Sequence, residues 1–225
     1  MLKGIIFDMD GTVTLTEPLH HKAFSAVFEK HGVKDFTLEE EVMHYAGSGA
    51  EVIFKDVFAK RGIKIFDDDI EKCVTEKRTL YKKIVHEAEI PVVPGVLEFL
   101  KKLRSRGLKM IIATGNSNLE AVREILGKAG LAEFFPEVVS VAQVKRGKPF
   151  PDVFLEAARR IDCAPSECIV FEDAVNGVLA ARAAGMPCVG IASLLKKEVL
   201  QKAGAAPVVK DYSEISDSEI FLIKL

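Results

Sequence analysis

Residues 2–12 read LKGIIFDMDGT, and this stretch decides the architecture. The apolar run from Leu2 to Phe7 has the length of a buried strand and stops abruptly at Asp8, Met9, Asp10 and Gly11. A strand emptying into an acidic loop is therefore predicted. From Val92 onward strand-like and helix-like segments alternate. Helices are predicted over Pro94 to Arg106, Leu119 to Ala129, Pro151 to Ile161 and Ala174 to Ala184, and strands over Lys109 to Ala113, Glu137 to Val141, Cys168 to Phe171 and Cys188 to Ile191. Such alternation implies right-handed βαβ units and an α/β fold, a doubly wound parallel sheet. Gly107, Gly130 and Gly185 fall where those helices should end.

The stretch from Leu15 to Ala88 breaks the alternation and reads as an all-helical insert after the first strand. Leu19, Ala23, Phe24, Val27 and Phe28 mark one helix ending before Gly32, and Ile53, Phe54, Val57 and Phe58 a second ending before Gly62. A third runs from Asp67 to Ala88, with Ile70, Val74, Lys77, Tyr81, Ile84 and Ala88 on one stripe, so a cation occupies a position where an apolar side chain is expected. The expected division is a core of residues 1–14 and 91–225 and a helical cap of residues 15–90. The crossings near Leu15 and between Pro91 and Pro94 would act as hinges that let the cap move over the strand ends.

Composition narrows the partners. The 225 residues are 48% hydrophobic, and 31 Lys and Arg against 33 Asp and Glu leave a net charge of −2. A field suited to nucleic acid or an anionic membrane is absent, so any anion site must be local. No run reaches the roughly eighteen apolar residues of a membrane span, and MLKGIIFDMD places acids where a signal peptide stays apolar. A cytoplasmic monomer is the expectation. Cys73, Cys163, Cys168 and Cys188 have no zinc-ligand spacing and are expected to be buried thiols. Gly47-Ser48-Gly49 lies between helices rather than after a strand, which argues against a nucleotide loop, and Glu98, Lys101, Lys102 and Arg104 read as a solvated helix face.

Four polar segments follow strands or open helices and would converge at the carboxyl edge of a parallel sheet. Asp8 and Asp10, two residues apart, can serve one site, and Gly11 permits the turn after them. Thr114-Gly115-Asn116-Ser117-Asn118 opens a helix, where backbone N–H groups and a hydroxyl suit a phosphate, although Asn118 also reads as a simple N-cap. Lys148 is held between Gly147 and two prolines. Glu172 and Asp173 can complete an oxygen-rich Mg²⁺ site with Asp8. This set suits phosphoryl transfer, which rests on positioning and charge neutralisation. Asp8 would be the nucleophile, Asp10 the general acid and base, and Lys148 and Thr114 would offset phosphate charge.

The segments FDMDGT, ATGNSN, KRGKPFPD and VFEDAVNGVLAA, in that order, resemble the four motifs of the haloacid dehalogenase superfamily. EPLHHKAF and the helical insert resemble its branch of sugar-phosphate phosphatases and β-phosphoglucomutases. The resemblance implies a Rossmann-like core with a helical cap. It also implies Mg²⁺ held by Asp8, the Asp10 main-chain carbonyl, Glu172 and Asp173, and phosphate contacts from Thr114, Gly115, Asn116, Asn118 and Lys148. By similarity to the mutases, His20 and Lys77 face the active site from the cap. Two departures bear on substrate. Ala50 stands where the mutases carry an arginine for a distal phosphate, which favours hydrolysis, and Leu15 replaces a usual aspartate near the hinge. The expected function is hydrolysis of small phosphomonoesters, sugar phosphates above all, through an aspartyl phosphate. An isomerising mutase and, more distantly, a phosphoacceptor signalling module are the alternatives.

Overall fold

A computed structural model describes residues 1–215. Six strands form one parallel sheet in the order β3-β2-β1-β4-β5-β6: β1 Gly4–Phe7, β2 Lys109–Thr114, β3 Val138–Ser140, β4 Cys168–Glu172, β5 Cys188–Ile191 and β6 Val208–Val209. Side chains alternate across the pleat. Ile5, Phe7, Ile112, Ile169 and Phe171 enter one apolar layer with Phe99, Leu103 and Ile125. Ile6, Ile111, Ala113, Cys168 and Val170 enter the other with Phe154, Ala157, Val178 and Leu200. Helices α5 Val96–Ser105 and α6 Leu119–Lys128 supply the first layer, and α7 Asp152–Arg160, α8 Val175–Ala183 and α9 Lys197–Ala203 the second.

Strand β1 lies between β2 and β4, with Phe7 opposite both Ile112 and Phe171. The residues following these three strands therefore leave the sheet at one edge, where the strand order reverses.

The helical insert after β1 contains four helices rather than three: α1 Glu17–Lys30, α2 Leu38–Tyr45, α3 Ala50–Lys60 and α4 Asp67–Glu87. The unanticipated α2 is eight residues long and buries only Glu41, Val42 and Tyr45, too little to mark a helical period. Its start was nonetheless legible: the Thr37 side chain accepts from the Glu40 N–H at 3.1 Å, the first half of a capping box. On α4 the buried row drifts from the expected Ile84 to Val85. The insert packs around its own cluster, with the Phe28 ring tilted against Phe36 at 4.7 Å and Phe54 at 4.9 Å. Its two crossings run side by side, Leu15 N–H donating to Pro91 O at 2.8 Å and Val93 N–H to Val13 O at 3.1 Å. Helix α9 and strand β6 extend the core beyond the last segment anticipated from the sequence. Cys163 is partly exposed, in contrast to the other three buried thiols, because it sits in the turn after α7. Among the described residues no helix is long and apolar enough to cross a membrane.

Candidate active site

A cavity of about 320 Å³ separates the carboxyl edge of the sheet from the insert. Asp8, Asp10, Lys148, Glu172, Asp173 and residues 115–118 line it from the core, and Glu17, His20, Lys77 and Tyr81 from α1 and α4. Gly11, at φ +76, makes the turn that follows Asp10 beyond the end of β1.

Asp8, Glu172 and Asp173 are buried, and one carboxylate oxygen from each lies within 4.8 Å of the others. Lys148 reaches them from the loop before α7, donating to Asp8 Oδ1 and, at 2.5 Å, to Glu172 Oε1. The other Glu172 oxygen accepts from the N–H groups of Asp173 at 3.0 Å and Ala174 at 2.9 Å, at the N-terminus of α8. Thr12 donates its hydroxyl to Asp173 Oδ1 at 3.0 Å. Three carboxylates thus face one ammonium. Burial, only partly offset by Lys148, raises Asp8 from 3.8 to about 8, and burial with Glu17 and Glu172 beside it lifts Asp173 well above the carboxylate range. An all-oxygen set with uncompensated negative charge fits a hard divalent cation.

Asp10 lines the same cavity in a different setting. Thr16 donates its hydroxyl to Asp10 Oδ1, and His20 Nε2 stands 3.4 Å from the same oxygen. The Lys77 ammonium donates to His20 Nδ1 at 2.8 Å, which leaves the ring proton on Nε2, the nitrogen nearer Asp10. Burial pushes the Asp10 carboxyl up, but His20, Thr16 and Lys77 together hold it below the usual range. Burial and Lys77 lower His20, and burial lowers Lys77 to about 8. Lys77, the cation on the apolar stripe, is therefore no helix-edge lysine: it is 6% exposed and sits 4.3 Å from the Phe24 ring centroid and 4.7 Å from that of Tyr81.

The loop after β2 is wound on itself. Asn116 N–H donates to the Thr114 hydroxyl at 3.0 Å, Asn118 N–H to Asn116 Oδ1 at 3.0 Å, and Ala121 N–H to Asn118 Oδ1 at 3.2 Å. Asn118 both caps α6 and lines the cavity. Thr114 is buried beneath Gly115, Asn116, Ser117 and Asn118, which form the cavity wall.

Sequence reasoning missed several neighbours. Glu17 and Tyr81 line the cavity with buried polar atoms, and Glu41 lines it from α2 while accepting from His21 at 3.0 Å. The only prior signal for Glu17 was its place one helical turn before His20. Asn176 on α8 donates to Ala46 O and Ser48 Oγ, each at 3.3 Å, so the loop containing Gly47-Ser48-Gly49 is tied to the core across the cavity mouth. Ala50 does line the cavity, yet Arg78 lines it as well. Without a cation at position 50, the wall still carries two from α4, Lys77 and Arg78.

A family model described as haloacid dehalogenase-like hydrolase matches residues 2–185. The chain is 32% identical over 214 residues to the phosphorylated carbohydrates phosphatase of Thermotoga maritima, covering 93% of this chain and 94% of that protein. It is also 32% identical over 220 residues to SUPPRESSOR OF QUENCHING 1, a chloroplastic protein of Arabidopsis thaliana, of which it spans 20% while 97% of its own length is matched. Among solved structures, β-phosphoglucomutase from Clostridium difficile superposes with a TM-score of 0.86 over 100% of this chain and 97% of that one, at 24% identity, a likeness of fold.

Proposed function

The chain belongs to the haloacid dehalogenase-like hydrolases; from this premise we propose that it is a phosphatase that hydrolyses small phosphomonoesters of the sugar-phosphate class, with Asp8 as nucleophile. The observation that carries the reading is the convergence of Asp8, Lys148, Glu172 and Asp173 on one wall of the cavity, with Asp10 beside them in an environment of opposite electrostatic sense. Residues 1–14 and 91–225 act as the catalytic core in this reading, and residues 15–90 as a cap that closes over the substrate.

An Asp8 oxygen attacks phosphorus and the leaving alkoxide takes a proton from Asp10, leaving an aspartyl phosphate. Asp10 then accepts a proton from water as it attacks that phosphorus. In the free protein Asp8 is the raised carboxyl and Asp10 the lowered one, the reverse of what the first step requires. Asp8, Glu172, Asp173 and the Asp10 main-chain carbonyl would hold Mg²⁺, which when bound would supply positive charge that favours the carboxylate form of Asp8 and offsets phosphoryl charge. The negative charge of a bound phosphate raises Asp10 toward its acid form. Lys148 and the N–H groups of Gly115 and Ser117 neutralise and orient phosphate oxygens, with Thr114 shaping the loop from beneath. His20 and Lys77 orient Asp10.

The test is inorganic phosphate release from a panel of sugar phosphates and other monoesters, with and without Mg²⁺. Release should depend on Mg²⁺, fall by about 10²- to 10⁴-fold in Asp10→Asn, and vanish in Asp8→Asn. Conversion of β-glucose 1-phosphate to glucose 6-phosphate faster than phosphate release would replace hydrolysis with isomerisation. A long-lived phospho-Asp8 without turnover would leave a switch.

A second measurement follows from the charge imbalance. A carboxyl whose folded value is raised contributes its stability below the unfolded value and loses it as pH rises through the folded one. For Asp8 that window runs from 3.8 to about 8. In chelator, Asp8→Asn should therefore match the wild type in melting temperature near pH 4 and exceed it by several degrees near pH 8, and Mg²⁺ should stabilise the wild type most at the alkaline end. A melting-temperature difference that does not change with pH would contradict the imbalance.

A further inference from the structure

Resting on the phosphatase reading, we propose that Glu17 and Tyr81 form a subsite for substrate hydroxyls, so that the preferred substrates carry free hydroxyl groups near the ester oxygen, as sugar and polyol phosphates do. Both side chains line the cavity, and among the described residues both end in buried polar atoms without a partner: Glu17 Oε1, Glu17 Oε2 and the Tyr81 hydroxyl. Buried polar atoms are almost always hydrogen-bonded, so two unpartnered side chains on one cavity wall call for donors from whatever fills it.

The surroundings say which donors. Glu17 opens α1, and a Cβ built on Gly11 would lie 2.0 Å from Glu17 Oε1 and 2.1 Å from Asp173 Oδ2, so the two carboxylates face each other across a bare backbone. The charges that bear on Glu17 are Asp10, Asp8 and Glu41, all acidic. Glu17 adjoins Asp173 without belonging to the set of three carboxylates grouped closely enough to share a metal ion. Tyr81 stacks on the His20 ring at 4.0 Å, and His20 Nε2 is 3.4 Å from Asp10, so His20 links the Tyr81 side chain to the residue assigned to protonate the leaving oxygen. A substrate whose ester oxygen meets Asp10 thus brings its neighbouring carbons against Glu17 and Tyr81. Neutral hydroxyls satisfy both, as donors to Glu17 and as donor or acceptor to Tyr81. Lys77 and Arg78 on the same cavity wall oppose an ammonium group there.

The experiment compares kcat/KM for a sugar phosphate, glucose 6-phosphate or the best of the panel, with that for p-nitrophenyl phosphate, which has no hydroxyl to offer. It is run on the wild type, Glu17→Gln and Tyr81→Phe, with melting temperatures measured in parallel. The ratio of the two kcat/KM values should fall by about ten- to a hundredfold in Glu17→Gln and by about three- to tenfold in Tyr81→Phe, the range expected for one charged and one neutral hydrogen bond. Glu17→Gln should also melt no lower than the wild type, because the Glu17 side-chain oxygens have no hydrogen-bond partner in the protein to lose; a group kept only for folding would behave in the opposite way. A ratio unmoved in both variants, with the wild type active on both probes, overturns the subsite alone and leaves these atoms bound to structural water. A wild type that releases phosphate from neither probe overturns the phosphatase reading and the subsite with it.

Discussion

Replacing Lys148 by methionine is expected to abolish phosphate release and to lower the stability of the metal-free protein by about 3–5 kcal/mol, the usual consequence of removing one partner from a buried ion pair. Lys148 is 8% exposed, and its ammonium is shared between Asp8 and Glu172. Against the cost of burial, those two carboxylates hold it charged above the ordinary lysine range. Methionine fills a similar volume, so the loss is electrostatic rather than a cavity effect. Without the cation, Asp8, Glu172 and Asp173 repel one another until protons or a metal ion relieve them. Because Asp8 and Asp173 are raised carboxyls, the destabilisation should be largest above pH 8 and shrink toward pH 4. Mg²⁺ should recover part of the stability and none of the turnover, since Lys148 also neutralises the phosphoryl group. Melting temperature against pH, with and without Mg²⁺, reads all of this. A variant with wild-type melting behaviour at pH 8 in chelator would show that the ammonium is not what holds the acidic cluster together.

Gly177→Ala is expected to cost at least about a hundredfold in kcat, although the residue touches no substrate. A Cβ at this position would lie 1.7 Å from Glu172 Oε1 and 2.4 Å from Oε2. An exposed glutamate would swing aside, but Glu172 is fully buried and pinned by Lys148 and by two N–H groups at the start of α8. Either the carboxylate gives up those bonds or α8 moves off β4, at about 1–3 kcal/mol for an overpacked core. In both cases the oxygens offered to a cation shift by more than the few tenths of an ångström such a site tolerates. The response of the melting temperature to Mg²⁺ should weaken together with kcat. Retention of both would mean that Glu172 is dispensable to the cation site.

Much of the core was open to reading along the chain. Its strands are short runs with nearly every residue buried, each strand and each helix of the alternation carries its own period, and a parallel sheet places strand ends on one edge wherever its helices lie. That is why Asp8, Asp10, Lys148, Glu172 and Asp173 could be gathered from segments up to 165 residues apart, and why Lys77 stood out as a cation on an apolar stripe. Boundaries held to within two residues for the same reason. Helix α2 escaped because eight residues with three acids in the first turn carry too little apolar surface to show a period. Thr114, read as a direct phosphate contact, accepts from the Asn116 N–H and keeps its own hydroxyl proton to donate, while the following residues face the cavity.

By itself, then, the sequence determined the α/β alternation, the insertion point of the helices and the identity of the acidic and basic groups at the strand ends, because each is encoded in local periodicity or in a motif of a few adjacent residues. Only the tertiary structure decided how those groups share charge. Whether Asp8 is raised and Asp10 lowered, whether Glu17 and Tyr81 find partners, and whether position 177 admits a methyl group all depend on distances of a few ångströms between residues far apart in the chain. Burial and Coulomb interaction act through space, and no pattern along one strand or helix records them.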